Sequence, residues 1–178
     1  MFRYAAIYGA IAGTVIIAIM TLVLMLGGDE NYGFSEVMGY LIMIAVLSLI
    51  FIGIKRYRDV EKGGVIRFGP AFALGLAITA VAAVFYVASW EVYLASTDYA
   101  FIQSYSESQL SSIEAKELSV QEREAAIAEV ESARTLYGNL PFRLMITFVE
   151  IFPVGLLVAL VSAAILRNPK VLPARQPA

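Results

Sequence analysis

The chain contains no cysteine and no histidine in 178 residues. Without cysteine it has no disulfide, no lipidated cysteine anchor and no thiolate site for zinc or an iron–sulfur cluster. Without histidine it lacks imidazole ligands and the side chain that ordinarily titrates near neutral pH. Charge is also scarce, at 16% of residues with a net charge of −2. HExxH, GxSxG, the Walker A loop and the glycine-rich dinucleotide motif are all missing. The expectation is a protein that is not an enzyme and uses no metal and no cofactor.

What is there is apolar. Hydrophobic residues make up 60% of the chain, and the mean hydropathy is +0.75. That composition belongs to the membrane class. A helix needs roughly 20 apolar residues to cross about 30 Å of hydrocarbon. Tyr4 to Leu26 and Phe68 to Trp90 are uncharged over 23 residues each, and Val37 to Ile54 over 18. Leu144 to Leu166 holds a single charge, Glu150. None of these runs alternates with a period of two, as a membrane barrel strand would. The fold expected is all-α, an integral membrane bundle of four transmembrane helices over residues 4–26, 36–54, 68–96 and 142–166. The first run is longer than a signal-peptide core, and Gly27-Gly28-Asp29 does not fit a cleavage site, so it is read as an uncleaved helix.

Lys and Arg in short loops mark the cytoplasmic side. Lys55, Arg56, Arg58, Lys62 and Arg67 form a basic loop after the second run. Arg3 precedes the first run, and Arg167, Lys170 and Arg175 follow the last, in a tail over 167–178. The loop GGDENYGFSE has no basic residue. All of this predicts a multi-pass inner-membrane protein with both termini cytoplasmic. The basic loop is explained by orientation, so lipid is the expected partner and nucleic acid is not. A homo-oligomer or a second membrane protein is the other partner class.

Residues 97–140 then lie outside the cytoplasm, with eight acids against three bases. Ser119 and Glu122 have capping-box spacing, and Gly138 is placed to end the helix they start. Ile127, Val130, Ala133 and Tyr137 share one face of it. The third membrane helix is expected to continue past Glu91 toward Glu114, making a helical hairpin above the membrane. The segment serves either as a solvated amphipathic connector or as a ligand-binding element. Ser35 is the expected N-cap of the second helix, with Glu36 beside it. Trp90, Tyr93 and Tyr99 fall where interfacial aromatic rings are favoured.

Small residues recur every four positions: Gly9 and Gly13, Ala71 and Gly75, then Gly155, Ala159 and Ala163. In lipid this spacing lets backbones approach closely, and packing within the chain is the expected use. The conspicuous polar residue is Glu150, about 12 Å into the hydrocarbon on helix geometry. An ionised carboxylate there is costly, by ~2.5–3.5 kcal/mol on insertion scales, so it must face helices or water. Pro153, on the same helix face, cannot donate to the carbonyl of Val149, so a kink or gap is expected beside the acid. Tyr86, Tyr40 and Thr21 reach a similar depth. Arg143 lies nearer the outer surface, with Glu150, Glu91 or lipid phosphate as partner. Glu91 reads as an interfacial acid at the outer end of the third helix. Two roles follow for Glu150, a hydrogen-bond lock between helices or a proton- or ion-handling site. The leading expectation is an accessory or structural membrane protein, and the alternative is a small coupled transporter.

The blocks GYLIMIAVLSLIFIGIKRYRD, GGVIRFGPAFALGL and VEIFPVGLLVALVSAAILRNPK, in that order, resemble a family of small bacterial four-span proteins, the domain of unknown function 4199. Its recurrent runs fall on Gly53, Ile54, Lys55, Tyr57, Arg58 and Asp59, and on Glu150, Pro153, Val154 and Gly155. Where that family commonly has Gly-Lys, this chain has Gly69-Pro70. The resemblance implies four spans and a bacterial inner membrane, and it implies no mechanism.

Overall fold

The computed structural model describes residues 1–27 and 32–174, without the side chains of 24–27 and 32–36. The expected Ser35 cap, Glu36 and Arg175 therefore lie outside what is described. The described residues form helices and connections: α1 Phe2–Gly27, α2 Tyr32–Leu47, α3 Leu49–Glu61, α4 Phe68–Ser96, α5 Ala100–Glu114, α6 Val120–Gly138 and α7 Leu140–Leu166. Four stretches are long and apolar enough to cross a membrane: Phe2–Val23, Val37–Glu61, Phe68–Ser96 and Leu140–Leu166. Large apolar side chains stand exposed along them, among them Leu22, Leu41, Val84 and Leu157. In water such a surface would aggregate, whereas in lipid it is solvated. The chain is a multi-pass membrane protein.

Helix α4 is the centre of the bundle. Its apolar positions point in every direction, and Leu74, Ile78, Ala82 and Ala83 are fully buried. Its neighbours close in where glycine leaves room. A Cβ on Gly9 would sit 2.6 Å from Val81 Cβ, and one on Gly13 would strike the carbonyl oxygen of Ala82. On the other flank, a Cβ on Gly75 would lie 2.7 Å from Ala159 Cβ, and one on Gly155 would strike the Thr79 side chain. Gly9, Gly13, Gly155 and Ala159 thus serve packing within the chain, α1 on α4 and α4 on α7.

Several details differ from what the runs predict. The basic stretch begins as helix, since α3 extends to Glu61 and carries Lys55, Arg56 and Arg58. Ile50, Ile54 and Tyr57 keep an apolar stripe at helical spacing through it, all buried. Lys55 pairs with Asp59 one turn later. Arg58 is no headgroup contact, for it is fully buried. Its Nε donates to Asp59 at 2.8 Å, and its remaining nitrogens donate to the carbonyls of Leu166, Val171 and Leu172. These are carbonyls at and beyond the end of α7, which has no further turn to satisfy them. We expect Arg58→Ala to release residues 167–172, seen as new limited-proteolysis cuts there. Arg58→Lys, which has no fork of donors, should release them only in part.

The third membrane helix does not run on to Glu114. It stops at Ser96, and Asp98 and Tyr99 take positive φ of 49° and 57° before α5 begins. The Tyr99 N–H reaches back to the carbonyl of Leu94 at 2.8 Å, closing the helix end as a left-handed residue does. Helices α5 and α6 then pack on one another, α6 packs on α7, and Phe101 of α5 meets Trp90 of α4.

The capping box at the start of α6 is formed. Ser119 N–H donates to Glu122 at 3.0 Å, and Glu122 N–H donates to Ser119 Oγ. Hydrogen bonds from the Ser119 side chain and then its backbone hold the Glu122 carboxyl below its ordinary range. A depressed folded-state value stabilises above the ordinary value and is lost as pH falls through the lowered one. Amide protection in the first turn of α6 is therefore expected to fall under acid. Glu122→Gln, which caps without titrating, should flatten that dependence.

Candidate functional site

The site is built where α4, α5, α6 and α7 meet. Glu91 stands near the end of α4 and Arg143 near the start of the antiparallel α7, so the two reach the same level. Arg143 is only 4% exposed. Its Nε donates to Glu91 Oε2 at 2.9 Å and its Nη2 to Oε1 at 2.6 Å, a two-pronged pair. Its Nη1 donates to the carbonyls of Tyr137 and Gly138 at 2.9 and 3.4 Å. The Tyr99 ring lies over the guanidinium at 5.0 Å, and its hydroxyl donates to Glu91 at 3.1 Å. The left-handed backbone at Tyr99, uncommon for a bulky residue, turns that ring onto the pair. Among the partners expected for Arg143, the structure selects Glu91. Glu91, read from the sequence as an interfacial acid, is thus held in an ion pair.

Beside this junction Trp90 Nε1 donates to the Tyr137 hydroxyl at 2.9 Å. The Trp90 ring meets Phe101 edge-on at 5.0 Å and stacks with Tyr93 at 5.3 Å. This cluster adjoins a cavity of about 650 Å³. Within the apolar spans the cavity is lined by Glu150, Tyr86, Met20 and Ile42. Tyr86 is ten residues, about 15 Å, below the end of α4. At the other extreme it is lined by Glu129 and Arg134 of α6, both exposed. The face of α6 expected from Ile127, Val130, Ala133 and Tyr137 is partly used, since Val130, Ala133 and Tyr137 line this cavity.

Glu150 is partly buried, and the Tyr86 hydroxyl is its hydrogen-bond partner. Tyr86 is 2% exposed and also lies 3.6 Å from Met20 Sδ. Pro153 sits one turn on, exposed, within an α7 assigned as helix from end to end. Its missing N–H leaves the carbonyl of Val149 without an i+4 donor, next to the acid. Glu150 and Tyr86 thus share one site, while Glu91 and Arg143 form a separate pair nearer the helix ends. The sequence reading missed the aromatic lining from α5. Phe101 and Tyr105, at i and i+4 with ring centroids 5.9 Å apart, were the available signal.

Chemically, the arrangement offers one carboxylate at the floor of a mostly apolar, aromatic chamber whose far rim is charged. Chambers of roughly 300–1,000 Å³ with few polar groups are the usual form of a small-molecule site. No curated protein matches the chain, and no solved structure does. A family model described as "Protein of unknown function (DUF4199)" matches residues 7–168. That match takes in most of α1 and all of α2 to α7, and the chain belongs to the DUF4199 family.

Proposed function

We propose that the protein is a non-enzymatic component of proton- or ion-coupled transport in the inner (plasma) membrane, with Glu150 as the coupling carboxylate. Both termini are cytoplasmic in this proposal, and α5 and α6 form an extracytoplasmic hairpin. The bias of basic residues toward one end of the bundle and of acids toward 97–140 supports that orientation. The observation that carries the function is the cavity, which runs from Glu150 to the exposed Glu129 and Arg134. A carboxylate kept only to fasten helices has no use for a chamber of this size beside it.

A second role is favoured by one contact. The hydrogen bond between Tyr86 and Glu150 ties α4 to α7, as a structural lock would. Carbodiimide labelling of Glu150 in membranes, read by mass spectrometry across pH, separates the two. Such reagents need a protonated and reachable carboxyl group. Labelling that declines as pH rises, together with proton flux in proteoliposomes that Glu150→Gln abolishes, supports coupling. Absence of labelling at every pH means a sealed lock and overturns the transport role.

A further inference from the structure

The lining of the cavity also bears on what enters it. Five aromatic side chains among the described residues line it, those of Tyr86, Trp90, Phe101, Tyr105 and Tyr137. Among the described residues that line it, the charged groups are two carboxylates, Glu129 and Glu150, against one guanidinium, Arg134, a balance of −1. Ring faces are the negative pole of the aromatic quadrupole and attract cations, the more so when water is excluded. A carboxylate at the floor has the same preference. An anionic amphiphile would place like charge against Glu150. A neutral one would draw nothing from it. A hard inorganic cation wants a shell of oxygen ligands, six or more for calcium, whereas these walls are chiefly rings and aliphatic chains.

We propose that the cavity binds a hydrophobic organic cation, its positive charge facing Glu150 and its apolar body against the aromatic walls. The proposal rests on the ion-handling role of Glu150 and names the ligand class for that site. The volume of about 650 Å³ suits a drug-sized molecule.

Trp90 is the only tryptophan in the chain, and it lines the cavity, so tryptophan fluorescence reports on this site. The full chain in detergent micelles is titrated with tetraphenylphosphonium and, separately, with tetraphenylborate. These ions have nearly the same shape and opposite charge, and partitioning into protein-free micelles is subtracted. The expected result is a saturable change with phosphonium at a Kd at least tenfold below that of borate. Glu150→Gln should weaken phosphonium at least tenfold and should not weaken borate. Equal affinities, or tighter borate, overturn the proposal without recourse to any variant. Phosphonium should also protect wild-type Glu150 from carbodiimide. Labelling that titrates with pH but is not slowed by phosphonium overturns the ligand class and leaves the coupling role standing. A Glu150 that never labels overturns both.

Discussion

Gly13→Ala is expected to lower the stability of the bundle by about 3 kcal/mol, at the upper end of the cost of overpacking. The added methyl lands on the carbonyl oxygen of Ala82 and 2.7 Å from Phe85 Cβ. A carbonyl oxygen cannot rotate aside as a side-chain tip does, so α1 must back away from the whole of α4. Close backbone approach is what drives helix association in lipid, and a retreat loses contacts along the full interface. Gly69→Ala is the matched control. A Cβ there meets nothing within 4 Å, and the effect should stay within about 0.5 kcal/mol. Reversible unfolding in mixed micelles measures both. A Gly13→Ala protein as stable as the Gly69→Ala protein would show that α1 does not sit on α4 at this distance. Gly155→Ala is the more informative relative, because the clash is with the Thr79 side chain rather than with backbone. Thr79 donates only to its own helix, to the carbonyl of Gly75 at 3.0 Å. Thr79→Ala should therefore cost little alone and recover part of the Gly155→Ala loss, a coupling that a double-mutant cycle resolves.

Glu91→Ala is expected to cost about 2–4 kcal/mol. Removing one member of a buried ion pair typically costs 3–5 kcal/mol, because the other charge stays buried without its partner. The figure is lowered here because the Glu91 side chain is 23% exposed and because Arg143 keeps the carbonyls of Tyr137 and Gly138. Arg143→Met leaves the half-open acid behind, where water reaches it, and should cost less. The double variant Glu91→Gln with Arg143→Met should be closer to the wild type than Glu91→Ala, since no uncompensated charge is left. Thermal unfolding of the variants decides this. Additive losses would mean that the pair contributes nothing as a pair. Loss of Glu91 should also loosen Tyr99, whose hydroxyl it accepts, and with it the start of α5.

How far the sequence discloses this arrangement depends on the range of the signal. The four spans follow from long apolar runs, three uncharged and one with Glu150 alone, a local property, and helices long and apolar enough to cross a membrane stand there. The Ser119–Glu122 cap is also local, two residues three apart, and it is formed as its spacing requires. Where the polar end of a span becomes amphipathic, hydropathy alone misleads. Residues 55–61 look like a loop by charge, yet Ile54, Tyr57 and the Lys55–Asp59 pair continue the helix. The left-handed turn that follows Ser96 could not be read in advance, because neither Asp98 nor Tyr99 is glycine and the turn is held by tertiary partners. The pairing of Arg143 was legible only as a choice among partners. Which acid it meets depends on the relative register of α4 and α7, which no stretch of either helix encodes alone. The cavity was not legible at all, since its lining gathers side chains from α1, α2, α4, α5, α6 and α7.

The two buried arginines have a mechanical consequence. Arg143 fastens one end of α7 to Glu91 on α4, and Arg58 of α3 grips the carbonyls at its other end. A strut pinned at both ends cannot slide along its axis. A shift of one turn, about 5.4 Å, would pull every one of these donors from its acceptor at once. Piston motion of α7 is thereby opposed at both ends, which holds Glu150 at its level in the bundle. Any change in the width of the chamber then falls to its remaining walls. On the bundle side these belong to α1 and α2, with Met20, Gly39 and Ile42, and α2 runs on into the anchored α3 because Ser48 keeps helical φ and ψ. Helix α7 thus stands as a braced post that carries its carboxylate at a set level beside Tyr86.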